Sequence, residues 1–374
     1  MKICFVSPSV GTIVGGSETI IQQFARQLSE KHEVILLTGK SRHMPLQKNI
    51  VDAPYKVLTV PFWPRFTPKN NFATRIIRRL DPYKAESLSF YYNVMLRPKI
   101  KESLKEMDVI STHYRLDSRL FSNLAFKLGV PSVFHILGGS YSKDFFEKDK
   151  SALYVATSPL TQNLINSKHG TKIRHFVTPG IPSWVLTKKI EKKDHERRLL
   201  FVGRLQRSKG IFELVEMFKK LSQFDDKMTL TIVGIGNILN ELRDQVDKFG
   251  LKKRIIFPGS VPYEKVFDHY FNSSLFVFPS KKETFGMVPL EAMACGLPVI
   301  ASDIPSIREA TGGCAILVSL DNIDEWVDRI KTLISDENTM KDMSAKGRVW
   351  AQQFTWEKKA EEYERCLLEA IEKF

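Results

Sequence analysis

The chain is poor in cysteine, has no long apolar run and shows no metal-ligand spacing, and each shortage removes a class of protein. Its four cysteines, Cys4, Cys295, Cys314 and Cys366, are scattered through 374 residues without a C-x-x-C pair. That pattern argues against a disulfide framework or a zinc knuckle and fits reduced thiols in a cytoplasmic compartment. No stretch approaches the roughly 20 apolar residues that span a bilayer. The opening MKICFVSPSV is too short in apolar residues for a signal peptide and reads as a first strand. The eight histidines lack metal spacing, and there is no D-x-D of the kind that holds a divalent ion, so no metal or cofactor is expected. A G-x-G-x-x-G fingerprint is missing after the first strand, and the later GIG at 234–236 has no third glycine. Both absences count against a dinucleotide-binding dehydrogenase.

What is present is basic charge, unevenly placed. Residues 1–190 hold 28 Lys+Arg against 13 Asp+Glu, and the remainder holds 28 against 29. A nucleic-acid binder of uniform charge would not divide this way, and no nucleic-acid partner is expected. A half that faces anionic lipid or a phosphorylated acceptor would. Within 61–80, Phe62, Trp63, Phe66 and Phe72 alternate with Arg65, Lys69, Arg75, Arg78 and Arg79, and Lys99, Lys101 and Lys105 extend the positive surface. Aromatic and cationic side chains together suit a peripheral contact with an anionic membrane through residues 61–105, on the inner face of the cell membrane.

Apolar strand patterns alternate with helical ones throughout, which predicts doubly wound α/β units, and the length suits two of them. KICFVSP (2–8), HEVILLTG (32–39), YKVLTVPF (55–62), DVISTH (108–113), PSVFHI (131–136), YVATSP (154–159) and IRHFVTPG (173–180) read as strands of the first half. RLLFVGRL (198–205), MTLTIVGIG (228–236), RIIFPGS (254–260), LFVFPS (275–280), PVIASD (298–303) and AILVS (315–319) make the second. Between them, Ile181–Arg198 with its KKIEKKDHERR run reads as a solvated linker.

Three constellations carry chemistry. In KKETFGMVPLEAMACGLPVIASD, Glu283 follows an apolar strand, a glycine turn comes next, and a helix starting near Val288 carries Glu291 in its first turn. Turn amides and a helix N-terminus attract an anion, and flanking carboxylates accept from sugar hydroxyls. In VGRLQRSKG, Gly203, Arg204 and Lys209 stand between a strand and a helix, where two cations would neutralise a departing diphosphate. After the first strand, Gly15–Gly16–Ser17–Glu18 opens a helix, and glycine there lets backbone approach a phosphate or sugar closely.

These motifs closely resemble the E-x7-E signature and companion loops of retaining glycosyltransferase family 4 (glycosyl transferases group 1). That resemblance implies the GT-B fold, two Rossmann-like doubly wound domains facing across a cleft. It places 1–183 with a returning helix 356–374 on the acceptor side and 184–355 on the nucleotide-sugar side. Arg204 and Lys209 are then implied at the diphosphate, and Glu283 at the sugar hydroxyls. The amides of Thr284, Phe285, Gly286, Met287 and Val288 are implied around the phosphates, Glu291 at the ribose, and Val261 and Pro262 at the base. His135, in VPSVFHILGG, matches the family's sugar-contacting histidine, and His113, in ISTHYRLDS, resembles its strand-end histidine. His113 and Glu18 are implied on the acceptor side, and Gly15 and Gly16 beside the donor. Two departures stand near these loops: Pro305 and Ser306 where the family has glycines, and Ala315 in place of glycine. The implied reaction moves a hexose-type sugar from a UDP- or GDP-sugar to a glycan or lipid-linked acceptor, with no metal. Two rivals stay open. One is a nucleotide-sugar epimerase on the same architecture, which needs no acceptor. The other is a non-catalytic basic protein binding membrane or polyanion, which would show salt-sensitive binding and no turnover.

Overall fold

The structure, a computed structural model, describes residues 1–12, 15–41, 46–62, 82–138, 141, 143–189 and 197–374. The aromatic and basic stretch 63–81 and most of the charged linker lie outside the described residues. The chain divides into two compact units, Met1–Pro179 with Trp356–Phe374, and Gly180–Thr355. The first crossing thus falls before residue 183, because Ile181 and Val185 are fully buried in the core of the second unit. Ile181 N–H donates to Phe354 O at 2.7 Å, so the chain's two passages between units run side by side there.

In the first unit, the described residues form a parallel sheet of order β3-β2-β1-β4-β5-β6-β7. Its strands are β1 (Lys2–Ser7), β2 (Glu33–Lys40), β3 (Lys56–Pro61), β4 (Val109–Thr112), β5 (Ser132–Ile136), β6 (Leu153–Ala156) and β7 (His175–Phe176). Central strands are almost wholly buried on both faces, as a parallel sheet covered by helices on both sides requires. β7 is far shorter than the pattern 173–180 suggests. It lies at the sheet edge with β6 as its single neighbour, and β6 itself ends at Ala156, opposite Phe176.

The helix Gly16–Leu28 forms because Ile20, Ile21, Phe24, Ala25 and Leu28 share one face, and that face is buried. Against it packs the helix Trp356–Lys373, whose Trp356, Ala360, Tyr363, Leu367 and Ala370 recur at helical spacing. Tyr363 stacks on Phe24 with centroids 4.9 Å apart, and His32 Nε2 pairs with Glu364 Oε1 at 2.7 Å. Burying each such aromatic contributes roughly 2–3 kcal/mol. This contact fastens the returning helix to the first unit.

The second unit holds β8 (Arg198–Val202), β9 (Thr229–Val233), β10 (Ile255–Gly259), β11 (Leu275–Phe278), β12 (Val299–Ser302) and β13 (Ile316–Val318). They pair in parallel in the order β10-β9-β8-β11-β12-β13. In each sheet the winding reverses once, between β1 and β4 in the first unit and between β8 and β11 in the second. Connections leave in opposite directions at such a point, so the carboxyl ends of those strands open into a crevice where open α/β sheets take their ligands.

Candidate functional site

The reversal in the second unit gathers most of the expected donor residues. After β8, the Gly203 amide donates to Val233 O at 3.0 Å, Arg204 is exposed and Leu205 is buried. A single turn, Arg207–Lys209, then leads through Gly210 into the helix Ile211–Phe224. Gly210 adopts φ 65°, and a Cβ there would sit 1.9 Å from Pro279 O, so only glycine fits. The Lys281 amide donates to Ser208 O at 2.9 Å, fastening the loop after β11 to the loop after β8. Lys209 Nζ consequently reaches Glu283 Oε1 at 2.5 Å, with side chains 20% and 14% exposed. Residues 74 positions apart form one half-buried ion pair at the strand ends.

Beyond Glu283, Thr284 is exposed and Phe285 is buried beside Phe354, ring centroids 6.0 Å apart. Gly286 takes φ 111° and starts the helix Met287–Ala294 without a side-chain cap, leaving the first amides of that helix without a capping acceptor from Gly286. Met287 and Val288 are half-buried. Glu291 differs from the sequence expectation. It stands beyond the first turn and points inward, 3% exposed, accepting from Tyr270 Oη at 2.9 Å. Burial pushes its carboxyl up to about 7, against the opposing pull of the tyrosine hydrogen bond. Val261, half-buried, and Pro262, exposed, follow β10 on the same carboxyl edge, two strands from β8.

Two glycines missed as site elements hold this edge together. Gly234 (φ 139°) would place a Cβ 1.9 Å from Gly203 O, and Gly236 would place one 1.9 Å from Leu205 O. The GIG triplet therefore lets the loop after β9 lie directly on the Arg204 loop. Two glycines spaced by one residue after a strand were the available signal.

In the first unit, Gly15 and Gly16 lead into the helix bearing Glu18, which is 5% exposed. Glu18 Oε1 accepts from Tyr114 Oη at 2.7 Å and from Ser9 Oγ at 3.1 Å. Ser9 follows β1 and Tyr114 follows β4, so the reversal point of this sheet also carries a hydrogen-bonded carboxylate. Neither Ser9 nor Tyr114 was singled out from sequence.

The two expected site histidines of the first unit are buried. His135 lies inside β5, fully buried, with its ring 5.1 Å from Tyr363 and 5.7 Å from Phe24. Its Nε2 donates to Val177 O at 3.2 Å. His113 is 1% exposed, stacked on Phe5 and paired through Nε2 with Ser111 Oγ at 3.1 Å. The Nδ1 atom of each ring is buried and has no hydrogen-bond partner among the described residues. Burial lowers His135 to about 4, and burial together with the neighbouring His135 holds His113 well below its ordinary value, so both are neutral. A strand-end position in sequence did not reveal that Tyr363 of the returning helix packs against His135.

Of the expected membrane patch, Lys99, Lys101 and Lys105 are described, on the helix Pro98–Lys105, with Lys99 and Lys105 exposed. No helix among the described residues is long and apolar enough to cross a membrane.

Residues 183–350 match the family described as glycosyl transferases group 1. A D-inositol 3-phosphate glycosyltransferase of Paenarthrobacter aurescens is 27% identical over 228 residues, 57% of this chain and 56% of that protein. Its namesake from Jonesia denitrificans is 30% identical over 229 residues, 52% of each. The chain thus spans about half the length of these relatives. Among solved structures, Anabaena Alr3699/HepE in complex with UDP and glucose superposes with a TM-score of 0.77 at 17% identity, covering 99% of this chain and 100% of that one. Sucrose-phosphate synthase from Thermosynechococcus elongatus gives 0.74 at 19% identity, covering 97% of each. At these identities the superpositions establish the fold, which is GT-B.

Proposed function

We propose, from the premise that residues 183–350 are a glycosyl transferases group 1 segment, that this chain is a retaining glycosyltransferase of family 4. It moves a hexose-type sugar from a nucleotide diphosphate sugar to a hydroxyl of a glycan or lipid-linked acceptor. The observation that carries this reading is the Lys209–Glu283 pair at the carboxyl ends of β8 and β11. Also in support, a protein of the same fold, Alr3699/HepE, has been solved in complex with UDP and glucose.

An incoming diphosphate competes with Glu283 for Lys209. Once the donor is bound, Lys209 and the exposed Arg204 face the phosphates, and Glu283 is released to accept from the sugar hydroxyls. As the glycosidic bond lengthens, negative charge grows on the diphosphate, and these cations with the amides of Phe285–Val288 stabilise it there. Same-face attack, with the leaving phosphate taking the acceptor proton, retains the anomeric configuration and needs no carboxylate nucleophile. Glu291 holds the ribose only where its buried carboxyl is reached through the helix start. The first unit takes the acceptor, with Glu18 as the hydroxyl acceptor at its reversal point. The transfer requires no metal, the protein acts in cell-surface polysaccharide or glycolipid synthesis, and it works on the cytoplasmic side, where its basic half meets the membrane.

The experiment is nucleoside diphosphate release over a panel of UDP-, GDP- and ADP-sugars, with and without EDTA. Slow release from one donor, undiminished by EDTA and lost in Glu283→Gln, is expected. Silence across the panel, with no nucleotide bound in calorimetry, overturns the reading and leaves the basic binding protein.

A further inference from the structure

A second concavity lies in the first unit, at the amino ends of β6 and β7 and therefore at the opposite sheet edge from Glu18. It encloses about 370 Å³, within the size range of small-ligand sites. Its floor is apolar, and Phe146 and Tyr154 stand against it, both half-buried, with centroids 5.5 Å apart and planes near perpendicular. Its rim carries the basic residues Lys172, Arg174, His175 and Lys373, and no Asp or Glu lines it. Glu369, outside the lining, takes the His175 Nε2 at 3.1 Å and the Lys373 ammonium. Lys172 and Arg174 form no ion pair with any described residue, and residues 151–190 contain no acidic side chain to offer one.

From this arrangement we infer that the pocket is a binding site for an acidic glycan, pyranose rings bearing carboxylate or phosphate groups. The C–H face of a pyranose covers an aromatic and aliphatic floor, while its anionic substituent reaches the rim. Arg174 offers a planar fork that matches a carboxylate or phosphate, and Lys172 adds a second charge. A bare anion would gain nothing from the apolar floor, and a neutral sugar would leave both cations unmatched. The choice of a glycan rests on the glycosyl-transfer reading. At the edge opposite the reversal point, such a site holds a substrate or product chain rather than the reacting groups.

The test is calorimetry on the full chain with two acidic probes and two controls. The acidic probes are a hyaluronan tetrasaccharide and glucose 6-phosphate. The controls are cellotetraose for the ring alone and inorganic phosphate for the anion alone. One acidic probe should bind at least about tenfold more tightly than both controls. Lys172→Glu with Arg174→Glu should abolish that preference. Both positions are exposed, so the double variant should keep the wild-type thermal midpoint. It should also keep donor hydrolysis, which separates failure here from failure of the transferase reading. Phosphate binding as tightly as the acidic probes marks an adventitious ion only and overturns the proposal. Unchanged binding by the double variant, or silence toward both acidic probes, overturns it equally.

Discussion

Lys209 Nζ donates to Glu283 Oε1 at 2.5 Å across the point where the strand order of the second unit reverses. The pair exists because Gly210 presses against Pro279 O and the Lys281 amide bonds Ser208 O, clamping two loops that belong to different βα units. A half-buried pair of this kind stores each partner in a fixed place without needing large net stability.

If these side chains divide as proposed, with Lys209 on the diphosphate and Glu283 on the sugar, their loss has different signatures. Lys209→Ala should lower kcat/KM for donor turnover by about 100-fold or more, the scale of a lost transition-state donor. Glu283→Gln should lower kcat yet tighten nucleoside diphosphate binding, because that product lacks the sugar and no longer competes with a carboxylate for Lys209. Steady-state kinetics with product inhibition checks both. Wild-type turnover in Lys209→Ala would remove the diphosphate role.

Glu291 makes stability depend on pH. Its folded carboxyl, near 7, lies above its ordinary 4.5, so between these values the folded state binds the proton and the unfolded chain does not. Its favourable contribution is complete below pH 4.5 and is lost as pH rises through 7. Glu291→Gln keeps an acceptor for Tyr270 and no longer titrates. Relative to wild type, the variant should therefore gain on the order of 1–3 kcal/mol between about pH 5 and pH 8. Urea unfolding of both proteins at the two pH values measures this, and a difference that does not change with pH would contradict it.

The opposite sign belongs to the buried histidines. His135 falls from 6.5 to about 4 on folding, with His113 lowered beside it. The unfolded chain binds these protons first, so stability present above pH 6.5 is lost as pH falls toward 4. His135→Gln should flatten the acid limb by on the order of 2 kcal/mol at about pH 4.5 relative to pH 7. Donor hydrolysis at mildly alkaline pH should survive in whatever fraction of that variant is folded. Abolished hydrolysis in a protein with a wild-type unfolding midpoint would return His135 to the site.

Two glycines with similar φ should respond very differently to alanine. At Gly129 (φ 73°) an alanine methyl would meet nothing within 4 Å, so Gly129→Ala carries only backbone strain, about 1 kcal/mol. Gly210→Ala adds a 1.9 Å collision with Pro279 O and should cost ~3 kcal/mol or more, and donor binding with it. Thermal midpoints and nucleotide titration of the two variants check the contrast. Equal midpoints would show that the two loops are not clamped.

Much of the fold was legible because buried parallel strands must be apolar over their whole length and are punctuated by turn glycines. LFVFPS and PVIASD read correctly as β11 and β12 for that reason, whereas the edge strand β7 did not, since its pattern continued past the point where a partner strand exists. Arg204, Lys209 and Glu283 were legible as charged residues placed just after strands, a position that leads to the ligand edge of any doubly wound sheet.

By itself the sequence determined the alternation of strands and helices, the reversal-point loops and the kinds of side chain they carry, all of which are local in the chain. Only the tertiary structure decided which of those side chains face outward. Glu283 meets Lys209 at the strand ends, while Glu291, eight positions later, turns under Tyr270. His113 and His135, expected at strand ends, are both buried, His135 against Tyr363 of a helix that returns from the far end of the chain. Exposure is set by contacts between segments distant in sequence, and no local pattern contains them.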